Sequence, residues 1–351
     1  MKNKIMKAIP FLALFAVFCA VTLLIHHNSD KLFVFFEERG WFCEPVEINI
    51  VEEKLTLTDV GISDLKQDER VVWDQSLMLI NTQYLLGDGF VPAVAEYKST
   101  DVYMNSCVLE SYSLLSSAVS DRFGVKLYVS SDFRTYEEQK ELYEDDPLTA
   151  TIPGASEHQT GLAVDVYVAY YAGDAFIKSP AGRFVNAESH KYGFIIRYPS
   201  YGEEITEIRF EPWHLRYVGM PHADIIYHNQ LTLEEYILSM EIGTWYEAEG
   251  YLICRQEVVD GSLSLPESFE SCTISPDNTG CYIVTVPKNE GTRIACSFVF
   301  CFFYCFKFLI EFKIAMTATP TSAKTAAFNP TMPKAPRIST NALTPRAKMM
   351  F

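Results

Sequence analysis

Two short stretches of the chain contain residue types that bind a metal ion and move protons. One reads SEHQTGLAVDV and contains His158 and Asp165; the other reads FEPWHLR and contains Glu211 and His214. Two imidazoles and one carboxylate form a mixed nitrogen and oxygen donor set, which catalytic zinc sites use while keeping a fourth position open. The pattern predicts a zinc site formed by His158, Asp165 and His214, with Glu211 as a neighbouring carboxylate.

The first stretch is expected to form a turn followed by a β-strand. Asp165 lies on the face of that strand opposite to its apolar residues, and Gly161 and Ala163 leave space around it. His158 precedes the strand, where a turn would bring its ring toward Asp165. The alternating apolar residues are Leu162, Val164, Val166 and Val168.

The second stretch requires a departure from regular strand geometry. Glu211 and His214 are three residues apart, so a regular strand would point them to opposite faces. Pro212 disfavours a regular ladder, and a bend or bulge there would bring both side chains to one site.

Taken singly, each of these residues has a more ordinary interpretation, because an isolated histidine is more often a core or surface residue than a ligand. The spacing of the whole set is what favours a metal site. The remaining histidines are assigned to core or surface positions: His26, His27, His190, His222 and His228.

Three separated motifs resemble those of the VanY-type D-alanyl-D-alanine carboxypeptidases, which are zinc metallopeptidases. The pattern Ser-x-His-x-x-Gly-x-Ala-x-Asp begins at Ser156, and Glu-x-x-His with Trp before the His begins at Glu211. An upstream Ser-x-(Tyr/Phe)-Arg element begins at Ser131 and is followed by Gln139. The resemblance covers roughly residues 71–245, and the motifs occur in the family's order.

The resemblance implies one zinc ion per catalytic domain and hydrolysis of the terminal D-alanine from peptidoglycan stem peptides. Arg134 would bind the developing oxyanion or the substrate's terminal carboxylate; without the motif, an ion pair with Glu137 or Glu138 would be the better interpretation. The implied residues are His158, Asp165 and His214 for the metal, Glu211 and Arg134 for catalysis, and Arg134, Ser156 and Gln139 for substrate binding.

Other functions of the same fold stay open at this point. An L,D-carboxypeptidase acting on the shortened tetrapeptide is the nearest alternative, followed by a peptidoglycan endopeptidase. A non-catalytic module that binds the cell wall is a third, although the presence of Glu211 favours an enzyme.

Local signals predict an α+β fold, and the resemblance implies a small, mainly antiparallel sheet flanked by helices, as in D-Ala-D-Ala metallopeptidases and hedgehog-like domains. Strands and helices alternate without a regular βαβ rhythm, which disfavours a doubly wound sheet. The helix signals are an apolar pattern from Val108 to Phe123 ending at Gly124, a capping box at Thr135 and Glu138, Ser179 with Pro180 leading to Gly193, and Thr232 with Glu235.

The chain has 351 residues and a formal net charge of −16. Because lysine and arginine supply most of the affinity for a phosphate backbone, this charge disfavours a nucleic acid as partner. Composition divides the chain into five predicted segments. These are 1–27, a membrane anchor or signal sequence; 28–70, a stalk or N-terminal element; 71–245, the zinc D,D-carboxypeptidase domain; 246–290, a small C-terminal β extension; and 291–351, an atypical apolar segment with a low-complexity tail.

The apolar run from Ala8 to Ile25 follows three lysines and contains no charge. Such a run is long enough to span a bilayer with its basic end inside, and no small-x-small cleavage site follows it. We therefore expect a single-pass protein of the bacterial cell membrane with an extracytoplasmic catalytic domain. A cleaved signal peptide is the alternative.

Five cysteines fall in the part of the chain expected to be exported, and an odd number leaves at least one thiol free or paired between chains. The turn-forming sequence SPDNTG between Cys272 and Cys281 predicts a hairpin that could bring these two thiols together. Burial or disulfide bonding is the favoured interpretation for each of the five.

Overall fold

The structure, a computed structural model, describes residue 15 and residues 17–52, 55–87 and 89–288. The predicted tail, 291–351, lies outside the described residues, as does the start of the predicted anchor. Residues 17–27 are helical, but no helix in the described ranges is both long and apolar enough to cross a membrane.

Short strands outnumber helices in the described residues, and the four helix signals of the sequence all correspond to helices. The strands are β1 Asn49–Ile50, β2 Leu57–Gly61, β3 Val71–Trp73, β4 Val94–Glu96, β5 Tyr103–Asn105, β6 Tyr128–Ser131, β7 Ala163–Tyr167, β8 Phe194–Ile196, β9 His214–Tyr217, β10 Trp245–Ala248, β11 Tyr251–Gln256, β12 Ser262–Pro266, β13 Cys272–Pro276 and β14 Tyr282–Pro287. The α-helices are α1 Ser29–Glu37, α2 Ile62–Leu65, α3 Leu109–Phe123, α4 Tyr136–Asp145, α5 Pro180–Glu188, α6 Glu203–Thr206, α7 His222–His228 and α8 Leu233–Ser239. Short 3-10 turns lie at Glu157–Thr160, Gly173–Lys178, Ser189–Tyr192 and Ser200–Gly202.

The helix ends form as the sequence predicts, except that α5 ends at Glu188 and a 3-10 turn continues to Gly193. Helix α3 stops at Gly124, which has φ +66°. Helices α4 and α8 each begin with a complete capping box, at Thr135 and at Thr232. Ser179 caps α5 by accepting a hydrogen bond from the backbone of Gly182. Caps depend on residues close in sequence, which is why these predictions are confirmed.

A four-stranded antiparallel sheet with the order β6-β7-β9-β8 carries the metal-binding motifs. Strand β7 pairs with β9, so that Asp165 lies directly opposite His214. Helix α3 packs on this sheet through an apolar cluster that includes Tyr112, Leu115 and Val164. The mainly antiparallel α+β fold is therefore confirmed, and this sheet corresponds to the small sheet that was predicted.

A second and larger sheet is assembled from both ends of the described chain. Its strand order is β1-β10-β11-β14-β13-β3. Strands β3 and β13 are parallel, and all other neighbouring strands of this sheet are antiparallel. Two-stranded sheets, β2 with β12 and β4 with β5, complete the architecture. Strands β1 and β2 come from residues 28–70, so this segment contributes to the fold rather than forming only a stalk.

The two large sheets are connected by a shared apolar core. One cluster contains Ile195 from β8, Ile225 and Ile237 from α7 and α8, and Ile253 and Ile283 from the larger sheet. Burial of such side chains contributes about 1.5–3 kcal/mol each. The larger sheet is therefore part of the support for the site-bearing sheet.

The hairpin between Cys272 and Cys281 forms, but it does not join the two thiols. Pro276 of β13 pairs with Tyr282 of β14, which places Cys272 at the far end of the hairpin from Cys281. Both cysteines are free and buried.

Candidate metal centre

The three predicted metal ligands lie together at one end of the four-stranded sheet. Asp165 and His214 are cross-strand neighbours, and His158 lies in the 3-10 turn just before β7. His158 Nε2 is 3.6 Å from Asp165 Oδ2, and His214 Nδ1 is 3.0 Å from Asp165 Oδ1. One carboxylate thus lies between two imidazoles.

The ring of His158 is oriented by the backbone of the preceding loop. Its Nδ1 lies 3.0 Å from the main-chain oxygen of Asp132. Because a carbonyl oxygen only accepts, Nδ1 carries the hydrogen and the lone pair of Nε2 points toward Asp165. A second hydrogen bond, from Arg134 N to His158 O at 3.1 Å, holds the turn against the same loop.

A tight turn brings Glu211 to the same site as His214. The backbone N–H of His214 donates to Glu211 O at 3.1 Å, and β9 begins only at His214. Glu211 Oε2 is 3.8 Å from His214 Nδ1. The bend expected at Pro212 is therefore present, and it resolves the opposite-face problem that a regular strand would pose.

The spacing of the donor atoms is compatible with a tetrahedral zinc ion. With bonds of 2.0–2.2 Å, ligand atoms of such a site lie about 3.3–3.6 Å apart. His158 Nε2 is 3.6 Å from one carboxylate oxygen of Asp165, and His214 Nδ1 is 3.0 Å from the other. Asp165 Oδ1 is a buried side-chain atom without a hydrogen-bond partner among the described residues. A buried carboxylate oxygen in that state costs free energy unless a cation or donor satisfies it, so this cluster is suited to a metal ion.

The charges at this site already favour a cation. Burial lowers the pKa of His158 to about 4, which keeps this imidazole neutral at neutral pH. Burial alone would lower the pKa of His214, but the carboxylates of Asp165 and Glu157 on either side of the ring raise it to about 10. Burial raises the pKa of Glu211 above its ordinary value. In the metal-free chain a proton on His214 balances this negative charge, and a bound metal ion would displace it.

Arg134 lies beside the cluster and is held by two side chains. Its guanidinium donates to Gln139 Oε1 at 2.6 Å and to Ser131 Oγ at 2.9 Å. Gln139 is buried and also donates to the main-chain oxygen of Thr151. Both ends of its amide are thus occupied, so in this geometry Gln139 positions Arg134. Ser156 is buried at the start of the 3-10 turn and makes no capping hydrogen bond.

One residue of the site was not recognised in the sequence. Glu157 is fully buried, and its Oε1 accepts hydrogen bonds from Arg197 at 2.7 Å and from Arg216 at 2.5 Å. Its Oε2 faces His214 Nε2 at 3.6 Å. The sequence shows only that Glu157 lies between Ser156 and His158. It does not show the contacts with the two arginines, because both are far away in sequence.

Among the other histidines, His222 has the predicted core role. It is buried, and its two ring nitrogens lie 2.7 Å from Tyr236 Oη and 3.1 Å from Thr285 Oγ1. His26 and His27 are exposed.

Known proteins resemble this chain in sequence and in structure. The family model described as D-alanyl-D-alanine carboxypeptidase, VanY, matches residues 101–220. The bifunctional D-Ala-D-Ala dipeptidase and D-Ala-D-Ala carboxypeptidase VanXYC of Enterococcus gallinarum is 36% identical over 178 residues, which are 46% of this chain and 93% of that protein. The chain belongs to the VanY family of D-alanyl-D-alanine carboxypeptidases.

Two further proteins are similar to this chain. The putative carboxypeptidase YodJ of Bacillus subtilis strain 168 is 32% identical over 196 residues, 50% of this chain and 70% of that protein. The solved structure of the vancomycin resistance D,D-dipeptidase VanXYg, in complex with a D-Ala-D-Ala phosphinate analog, is 26% identical with a TM-score of 0.50. The match covers 67% of this chain and 100% of the VanXYg chain. As a VanY family member, the protein is a peptidase of the D-Ala-D-Ala carboxypeptidase type.

Proposed function

We propose that the protein is a zinc-dependent D,D-carboxypeptidase that removes the terminal D-alanine from peptidoglycan stem peptides. The observation that carries this proposal is the convergence of His158, Asp165 and His214 with Glu211 beside them. Three ligands leave a fourth position open, which distinguishes catalytic zinc sites from structural ones. The names of the curated relatives, which specify D-Ala-D-Ala substrates, support the choice of substrate.

His158, Asp165 and His214 would hold the zinc ion. When bound, zinc polarises a carbonyl and lowers the pKa of water to about 7. The chain's own residues then have to orient the substrate, accept a proton from the attacking water and return it to the departing amine.

Glu211 is the residue for proton transfer. Its carboxylate lies 3.8 Å from His214 Nδ1 and is not a member of the three-residue ligand cluster. Burial raises its pKa, which brings it nearer to the operating pH, where a general base and acid is most effective. In this role Glu211 takes the proton of the attacking water and delivers it to the nitrogen of the released D-alanine.

Arg134 would bind the free carboxylate of the substrate. It is half-buried, and its forked donors match a carboxylate in a bidentate arrangement. The hydrogen bonds from Arg134 to Gln139 and Ser131 fix the guanidinium before substrate arrives, which reduces the entropy lost on binding. Recognition of a free terminus is the feature that separates a carboxypeptidase from an endopeptidase.

The test is release of D-alanine from a pentapeptide ending in D-Ala-D-Ala by the zinc-loaded protein. Glu211→Ala should reduce kcat about 10²–10⁴-fold while its zinc content, measured by mass spectrometry, stays equal to wild type. The matched control is Glu204→Ala, which removes an exposed carboxylate of α6 and should leave both quantities unchanged.

The same assay, run on a tetrapeptide and on cross-linked peptide, separates the remaining activities. Cleavage of the tetrapeptide alone would make the protein an L,D-carboxypeptidase, and cleavage of cross-links would make it an endopeptidase. Equal inactivity of wild type and Glu211→Ala, with retained binding of wall peptides, would indicate a binding module.

The proposed substrate lies outside the cytoplasmic membrane, so the proposal includes export of the catalytic residues. The basic residues and the apolar run at the N-terminus support export. Protease accessibility of the catalytic residues in intact cells is the measurement that tests this part.

A further inference from the structure

A second group of potential metal ligands lies outside the catalytic cluster. His190 comes from the 3-10 turn Ser189–Tyr192, whereas Asp224 and His228 are four residues apart on α7. Residues four apart lie on the same face of a helix. One donor atom from each of the three side chains lies within 4.8 Å of the other two.

Neighbouring side chains restrict the orientation of the His190 ring. His190 is buried, and its Nδ1 lies 2.5 Å from Asp224 Oδ1. The ring of Tyr227 stacks on His190, with centroids 4.0 Å apart and planes at 6°. The His228 ring meets His190 edge-on, with centroids 5.0 Å apart. Stacking leaves His190 little freedom to turn away from Asp224.

A simple ion pair between His190 and Asp224 does not account for the whole group. His228 Nδ1 is a buried nitrogen without a hydrogen-bond partner in the described part of the chain. Lys191, the nearest lysine in sequence, is paired with Glu188, which limits its competition for Asp224.

We propose that His190, Asp224 and His228 form a second metal site that binds zinc or a similar divalent transition metal. Two nitrogens and one carboxylate oxygen are the donor set that such ions accept. To reach the separation of about 3.3–3.6 Å expected of tetrahedral zinc, His190 Nδ1 and Asp224 Oδ1 must move apart from 2.5 Å, and the donor atom of His228, which lies within 4.8 Å of them, must adjust as well. Asp224, which is partly exposed, has the freedom to make this adjustment and gives the ion access from solvent.

A metal ion at this position would have a structural effect. It would link the 3-10 turn that precedes β8 to helix α7, and β8 pairs with β9, the strand that begins at His214. The second site would thus support the edge of the catalytic sheet without supplying a residue to the reaction.

Zinc content of the full chain tests the proposal after incubation with excess zinc and removal of unbound ion by gel filtration. His228→Ala should lose about one equivalent of zinc per chain relative to wild type. The loss should be additive with that of His214→Ala, because the two sites are separate. His27→Ala, which removes an exposed histidine from neither cluster, should hold as much zinc as wild type and controls for non-specific binding to imidazole.

Thermal unfolding provides an independent measurement. In the His214→Ala background, zinc should still raise Tm, and the added His228→Ala substitution should abolish that rise. If His228→Ala does not fold, as judged by circular dichroism, Asp224→Asn replaces it, since the amide oxygen can still accept from His190. Equal zinc content of wild type and the folded variant would overturn the proposal.

Discussion

Glu157 connects the metal cluster to the buried charges of the protein. Its Oε1 is shared by Arg197 and Arg216, and its Oε2 faces the ring nitrogen of His214 that points away from Asp165. Histidines that bind metals usually donate their other N–H to a carboxylate, which fixes the tautomer and the ring orientation. Glu157 fits that supporting role. Because it contacts both His214 and the buried arginines, it is expected to affect metal binding and stability, and a suitable control can separate the two effects.

Glu157→Gln is therefore expected to weaken zinc binding about 10–100-fold, as measured by competition with a chelator. The matched control is Glu234→Gln. Glu234 also pairs with Arg197 in the interior, but the structure gives it no contact with His214. Each substitution breaks a buried ion pair with Arg197 and should destabilise the fold by about 3–5 kcal/mol. If both variants lose zinc affinity equally, Glu157 acts only through stability.

Glu157 should also contribute to acid sensitivity. Burial alone would raise the pKa of its carboxyl, but Arg216 and Arg197 hold that pKa well below its ordinary range in the folded protein. A carboxyl with a depressed folded pKa contributes stability that is present above its unfolded pKa of about 4.3 and is lost as the pH falls toward the folded pKa.

The expected result is a pH-dependent difference between wild type and Glu157→Gln. Urea unfolding in the presence of a chelator should show the difference in unfolding free energy constant from about pH 7 to pH 5 and decreasing below about pH 4. A difference that stays constant down to pH 3 would mean that the pKa of Glu157 is not depressed.

At the scale of elements, Gly161 determines how closely the His158 turn approaches the β4–β5 hairpin. It has φ +68°, and a Cβ at this position would lie 2.7 Å from the backbone nitrogen of Asn105 and 2.8 Å from Val94 Cγ1. The turn that carries His158 thus packs against the β4–β5 hairpin with no space for a side chain. A substitution there has to move the turn, the hairpin or both.

Gly161→Ala should consequently destabilise the protein by more than the roughly 1–2 kcal/mol of left-handed strain alone, and it should also weaken zinc binding. Gly124→Ala is the matched control, because Gly124 has a similar φ of +66° with nothing within 4 Å of the added Cβ. Chemical denaturation and chelator competition on both variants test this. Equal effects of the two substitutions on zinc affinity would contradict the role of the close contact.

Elements that depend on neighbouring residues could be predicted from the sequence. The ends of α3 and α4 depend on Gly124 and on Thr135 with its capping partner, which are local signals. The parallel pairing of β3 with β13 could not be predicted, because it joins residues about 200 positions apart. For the same reason the sequence left open whether the segment containing β1 and β2 is a stalk or an N-terminal element of the fold.

The candidate site also contains residues that the sequence could predict and residues that it could not. His158, Asp165 and Glu211 lie in compact motifs, and the bend at Pro212 has a local cause. Glu157 acquires its role only through Arg197, which directly follows β8, and Arg216, which lies in β9. His190 and His228 were assigned to core or surface roles, because nothing in the sequence indicates that the 3-10 turn meets α7.

At the scale of the whole molecule, polar contacts as well as the apolar core hold the larger sheet to the rest of the fold. The polar contacts reach the segment that follows β3. Ser275 Oγ accepts from the backbone of Leu77, and Asn278 donates to the main-chain oxygens of Leu79 and Tyr84. Arg255 and Asp277 form a buried ion pair within the sheet and its turn. These contacts come from residues 246–290, which were predicted to form a small C-terminal β extension.

A chain that ends at Thr244 should therefore fail to fold, whereas a chain that ends at Lys288 should fold and bind zinc. Removal of β10 to β14 uncovers Ile225, Ile237 and their neighbours in the shared cluster. At about 1.5–3 kcal/mol for each buried aliphatic side chain, uncovering four of them is comparable to the total stability of about 5–15 kcal/mol of a typical protein. Solubility, cooperativity of thermal unfolding and D-alanine release of the two chains test this. A soluble shorter chain that releases D-alanine would mean that the predicted boundary at residue 245 separates an independent domain.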